Sequence, residues 1–235
     1  MTELIPLLLE RAFDRAGYAA VWRERRFPES RGDGFVVGFR PELLPVLLGP
    51  VVDGLQDELA DRHDVRMRMS IAVGPLTDTG IERHGDGSGA AMVETHRLLD
   101  CDPVRRLLED SDPAVTFLAV VISGRVYEDV VVSGYTTKGP SEFLAVPVRV
   151  KSYQGTAYLH VPRLSGRLLE RGLGRAHTGA HGMTEPVAAQ ADPEPEGSVV
   201  NTISGRVGGP VLQSRDIQVG SGTFVVGNTL DDRRA

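Results

Sequence analysis

Apolar residues recur at helical spacing in "ELIPLLLERAFDRAG", and the run stops at Gly17, so the pattern predicts an amphipathic first helix with a glycine C-cap. "YAAVWRERRF" and "GFVVGFR" read as two strands flanking the turn-rich "PESRGDG", a hairpin. Pro41 then opens a helix carried on by "ELLPVLLGPVVDGLQDELADRH", with Pro45 and Pro50 implying a kinked or broken first half. In "RMRMSIAVGPL" alternation puts Met67, Met69, Ile71 and Val73 on one side of a strand. The polar loop "TDTGIERHGDGSG" leads into "AAMVETHRLLDCDPVRRLLEDS", one or two helices. "AVTFLAVVIS" is apolar throughout, as expected of a strand buried on both faces. "GRVYEDVVVSG" is a short helix by position. "FLAVPVRVKSYQGTAYLHVP" reads as two strands around a turn near Gln154 and Gly155.

The order of strands, hairpins and helices predicts an α+β fold, a mixed or antiparallel sheet with helices packed on it. After Pro162 the texture changes. "RLSGRLLERGLGRAHTGAHGMTEPVAAQADPEPEG" is rich in Gly, Ala, Pro and charge, with a short helix around Leu168 to Arg171 and otherwise the composition of a linker. Four parts are expected: a folded domain over 1–162, a linker over 163–197, a β-prone motif over 198–228 and a polar tail over 229–235.

Charge narrows the function classes. A net charge of −6 and a pI near 5.5 give no basic face for nucleic acid, and the run Arg23, Arg25, Arg26 lacks interleaved aromatics. Cys101 is alone, so neither a disulfide framework nor a cysteine zinc site is expected, which suits a reducing cytoplasm. "LIPLLL" is too short for a membrane span and lacks the features of a signal peptide. The six histidines form no recognised metal set; His177 and His181 are four apart in a glycine-rich stretch. Gly85, Gly87 and Gly89 in "RHGDGSG" are similar to a phosphate-cradling loop, but without a P-loop lysine they read as a flexible loop before a helix. Cys101 reads as a structural thiol.

The succession strand, "RGDG", strand, helix, "RMSIAVG", "GSGAAMVETHRLLD" and "VRVKSYQGTAYLHV" resembles the class III nucleotidyl cyclase homology domain, in its actinobacterial signalling and conflict-system form. The resemblance covers about the first two-thirds of the chain and implies a ferredoxin-like, cyclase-like mixed sheet with helices packed on it. It implies that Asp33 is one of two metal-binding carboxylates on neighbouring strands, that Arg97 stabilises transition-state charge, and that Lys151 contacts the triphosphate. The cofactor implied is Mg or Mn with a nucleoside triphosphate. Three positions depart from the family. The other carboxylate belongs on an opening strand ahead of the first helix, where this sequence has none; the ribose asparagine position is Val93; and Ser152 stands for the usual glycine. The pattern therefore implies a catalytically impaired domain that binds nucleotide or dimerises. An active nucleotidyl cyclase with a mis-assigned start is the alternative, and a dimeric nucleotide-binding module with an inert tail is another.

The segment "NTISGRVGGPVLQSRDIQVGSGTFVVG" resembles bacterial amyloid signalling motifs of the kind related to the RIP homotypic interaction motif. Asn201, Gly205, Gly209, Pro210, Gln213, Ile217, Val219, Gly220, Gly222 and Phe224 occupy the pattern, while Ser214, Arg215 and "QVGSG" depart from it. Stacked in register, Asn201 and Gln213 would form amide ladders, and glycines and Pro210 would make the corners. A disordered tail and a hairpin docked on an exposed sheet edge are the competing readings. By this resemblance the partner is a receptor or adaptor bearing a matching motif, together with other copies of the chain. The expected function is that of a cytoplasmic signalling effector clustered through templated assembly.

Overall fold

The computed structural model describes residues 4–80, 85–151 and 153–170, and the backbone of 219–231. Helix α1 (Leu4–Arg15) ends before Gly17, whose φ of 82° is the left-handed turn expected of a glycine after a helix. The next segment departs from the strand expected of it. Ala19–Arg23 is a short helix, α2, because Trp22 turns inward against Phe13, with ring centroids 5.4 Å apart. The hairpin strands are β1 (Arg26–Arg31) and β2 (Gly34–Phe39), and the turn is Gly32-Asp33 rather than all of "PESRGDG". Pro28 is tolerated because β1 is an edge strand, with an irregular register between Arg26 and Glu29.

The proline-bearing stretch is one continuous helix of changing pitch. Pro41–Leu43 is 3-10, α3 is Leu44–Val46, Leu47–Val51 is a π turn around Pro50, and α4 is Val52–Arg62. A wider π turn accommodates the missing Pro50 N–H without breaking the helix. Strand β3 (Val65–Thr77), α5 (Ala90–Leu99), α6 (Asp102–Asp110) and β4 (Leu118–Ser123) follow as the pattern predicts. Helix α7 (Gly124–Val126) runs into a π turn over Tyr127–Val132. Strands β5 (Leu144–Val150) and β6 (Tyr153–His160) form a hairpin. Its turn begins at Lys151, not at Gln154 and Gly155, which pair with Arg149 and Val148.

The fold is α+β: one seven-stranded mixed sheet in the order β1-β2-β7-β3-β4-β6-β5, with helices on both faces. Among the described strand pairs only β3–β4 is parallel. Alternation sends Met67, Met69 and Ile71 to the face covered by α1 and α4, where they meet Phe13, Trp22, Leu48 and Leu55. Ala72, Ala119 and Val121 meet Leu98, Val104 and Leu108 of α5 and α6 on the other. Helices α1 and α4 cross closely at Gly54, where a Cβ would lie 2.9 Å from the Ala12 carbonyl oxygen.

The polar residues of β3 are structural. Arg66 donates to the Leu108 carbonyl (2.5 Å), Ser111 Oγ (2.5 Å) and the Thr116 carbonyl (3.0 Å). Arg68 donates to the Leu99 carbonyl (2.8 Å), and Ser70 to the Thr95 carbonyl (2.9 Å). These bonds tie β3 to backbone carbonyls of α5, of α6 and of Thr116 in the interior.

The third strand of the sheet, β7 (Val219–Asp231), comes from the far side of the linker. It runs antiparallel to β2 from Thr223 opposite Phe39 to Asn228 opposite Gly34. Its other edge pairs with β3 along its whole length, from Val219 opposite Thr77 to Asp231 opposite Val65. The sheet therefore draws on sequence from both sides of residues 163–197, and takes up a single central strand rather than an edge hairpin.

Candidate functional site

Asp33 is exposed at the β1–β2 turn, at the end of the sheet where β3 begins. The resemblance puts its fellow carboxylate on a neighbour of that strand. The neighbours of β2 are β1 and β7, and Asn228 of β7 is the residue registered opposite Gly34. Asp33 is close enough to Arg68 to favour that guanidinium's charged form, although burial outweighs it and pushes the Arg68 pKa down.

Arg97 lies half-buried on α5, and Val93, one turn earlier, is 55% exposed. Arg97 is paired with no carboxylate among the described residues. A valine there offers solvent a hydrocarbon surface where the family pattern asks for an amide. Lys151 is exposed at the β5–β6 turn with a φ of 53°. Strands β2, β3, β4 and β5 point the same way, so the turn entering β2 and the turn leaving β5 lie at opposite ends of the sheet. Four strand spacings of ~4.8 Å also separate β2 from β6. Within one chain the structure does not bring Asp33 and Lys151 together.

The glycines of "RHGDGSG" have a packing role. A Cβ on Gly89 would lie 2.5 Å from the Pro75 carbonyl oxygen, and one on Gly87 2.8 Å from Phe27 Cβ. The loop is tied down by the Gly87 N–H donating to the Thr77 carbonyl and the Thr77 N–H donating to the Ser88 carbonyl, both at 2.8 Å. Asp86 accepts from the Thr79 N–H (3.0 Å) and hydroxyl (2.7 Å). Its backbone is thus folded onto the end of β3, and its carboxylate is engaged locally.

Three other polar groups are set by burial. Tyr153 donates to Glu94 at 2.9 Å, and burial first, then that carboxylate, pushes its phenol pKa up. Burial likewise pushes the Cys101 thiol up, so it is a poor nucleophile. His160, stacked on Phe143 with centroids 5.0 Å apart, has its pKa pushed down by burial. Among the described residues no group of three or more His, Cys, Asp or Glu side chains is placed to hold a metal ion.

Two clefts among the described residues lie away from the expected ones. One, of about 550 Å³, lies between Pro41–Pro45 and Arg125–Tyr135. The other, of about 520 Å³, lies by Cys101, Arg106 and Arg149. No described helix is long and apolar enough to cross a membrane.

Of the ten motif residues, Asn201, Gly205, Gly209, Pro210, Gln213 and Ile217 lie outside the described residues. Val219, Gly220, Gly222 and Phe224 are in β7, registered opposite Thr77, Leu76, Gly74 and Ala72 of β3. Sequence reasoning missed this use of the segment, although "TFVVGNTL" is a β-branched, mostly uncharged run of the type that suits a central strand. It also missed Arg66 and Arg68, for which the signal was two arginines at alternate positions in an otherwise apolar strand. No family model, curated protein or solved structure matches this chain.

Proposed function

We propose that this protein is a cytoplasmic signalling effector that is clustered through β-assembly of its C-terminal segment, and that its cyclase-like domain does not turn over nucleotide. One observation carries the reading: residues 219–228 of the expected motif are extended strand. Extended strand is the conformation a templated stack demands of every chain in it. The separation of Asp33 from Lys151 and the exposed Val93 support the impaired half of the reading. The partner is a receptor or adaptor bearing a like motif, together with further copies of this chain. The cytoplasmic placement rests on the single buried thiol, Cys101.

The test is seeded assembly of a peptide spanning residues 197–230. Fibres with a ~4.7 Å strand repeat that template the full-length chain are expected. A peptide that stays monomeric at high concentration refutes the assembly reading. Formation of a cyclic nucleotide from Mg or Mn nucleoside triphosphate, abolished by Asp33→Ala, would replace the impaired reading with an enzymatic one.

A further inference from the structure

The sheet has a slot, between β2 and β3, whose occupant is supplied by a remote part of the chain. On either side of it the walls are core: Val36 and Val37 of β2 and Met67, Met69 and Ile71 of β3 are at most 1% exposed. With β7 absent, backbone N–H and C=O groups of Gly34–Phe39 and Val65–Thr77 that it pairs would have no strand partner in the middle of the sheet. Such groups are rarely left unpaired, so the slot requires an extended strand. An end-on helix or a loop lacks the repeating donors and acceptors that match both edges.

We propose that this slot is a strand-binding site that exchanges its occupant, and that it accepts the β7 of a second copy of this chain. The proposal rests on the assembly reading above, to which it adds the acceptor. A second copy supplies the same thirteen-residue strand, so exchange conserves every backbone bond. The chain joining His160 to Val219 carries the Gly, Ala, Pro and Glu composition of a linker over 163–197. Being joined in one chain sets the competing cis strand at an effective concentration in the ~mM range. Dilute chains therefore keep their own strand, whereas clustering raises the local concentration to where a neighbour's strand competes. Residues 223–228 have both edges used in the sheet, so sheet pairing and stacking are mutually exclusive for them.

Cysteine pairing in the full-length protein tests this, in a Cys101→Ala background. Val36 and Val226 are directly opposed across β2 and β7, within disulfide reach of each other. The double variant Val36→Cys/Val226→Cys should close a disulfide within one chain at low concentration, which checks the register and that the variant folds. A mixture of the two single variants, Val36→Cys and Val226→Cys, is then unfolded and refolded together at rising concentration. It should give a covalent heterodimer in which the thiol introduced in β2 of one chain is joined to the thiol introduced in β7 of the other. No heterodimer at any concentration, with the intrachain disulfide closing normally, overturns the exchange. Failure of the double variant to close while it remains folded overturns the slot itself. The outcomes separate from the assembly reading: fibres without heterodimer remove only the exchange, and heterodimer with a monomeric peptide leaves a strand-swapped dimer and removes the templating motif.

Discussion

Val226 lies in the middle of β7, opposite Val36 on one side and Ser70 on the other, so a proline there is a direct probe of whether the C-terminal segment belongs to the folded domain. Proline has no N–H to give to either ladder, and its φ near −65° is far from the antiparallel value. The lost bond is worth ~1 kcal/mol, and the carbonyl left unpaired inside the sheet adds ~1–3 kcal/mol. Val226→Pro should therefore destabilise the domain by about 2–4 kcal/mol. For a chain of this size each kcal/mol moves Tm by ~2–4 °C, so a fall of roughly 5–15 °C is expected in calorimetry. Gln213→Pro is the matched control. It falls in the same expected motif but outside β7, and should impair fibre seeding while leaving Tm within a degree or two. If Val226→Pro leaves Tm unchanged, β7 contributes nothing to the fold, and the slot argument fails with it.

Gly54→Ala places a methyl group against the Ala12 carbonyl. Overpacking of ~1–3 kcal/mol should outweigh the ~1 kcal/mol gained in helix propensity, so urea denaturation should show net destabilisation; stabilisation would refute the close crossing. Arg66→Met removes three hydrogen bonds and takes the guanidinium donor from the Thr116 carbonyl, while the Leu108 carbonyl keeps Ser111, for a loss of about 2–3 kcal/mol by the same denaturation. His160 is buried with its pKa held below the ordinary value, chiefly by desolvation and secondarily by Lys138, against the opposing pull of Glu142 and Asp53. The unfolded chain then takes up the proton first, so stability should be flat above pH ~6.5 and fall as pH drops through that value towards the lower folded one. His160→Gln should flatten that part of the pH–stability curve.

What was legible in the sequence follows how local the determining contacts are. Strands β3 and β4 announce themselves, one by alternation and one by a continuous apolar run, because each residue's face depends only on its neighbours in sequence. The segment around Trp22 misleads because a short apolar cluster suits helix or strand equally. Its packing against Phe13, and Phe13's against Phe39 at 5.2 Å, decides in favour of helix. Gly155 suggests a turn, but a Cβ there would sit 3.2 Å from the Tyr153 hydroxyl, so the glycine makes room within β6 instead. The roles of Arg66 and Arg68 depend on helix ends about 30 to 45 residues away in sequence, and β7 depends on partners beyond a linker. Neither dependence leaves a periodicity to read.

The composition of β7 bears on the exchange proposed for it. Each ladder bond of β7 contributes ~1 kcal/mol net, while ordering its 13 residues costs ~1–2 kcal/mol apiece. With two edges paired, these opposing totals are of similar size, so backbone pairing alone does not hold the strand in place. Residues Gly220, Gly222 and Gly227 raise the ordering cost further, since glycine loses the most conformational freedom on folding. A strand built from branched residues throughout would be held more firmly, and would release less readily into a stack. On the assembly reading, the glycines of "VGSGTFVVG" would serve two states: they weaken the strand's hold in the sheet, and they would supply the corners of a β-arch. Substituting Gly222 by Val should strengthen β7 in the sheet and slow both heterodimer formation and fibre seeding. Faster exchange in that variant would show that release is not the limiting event.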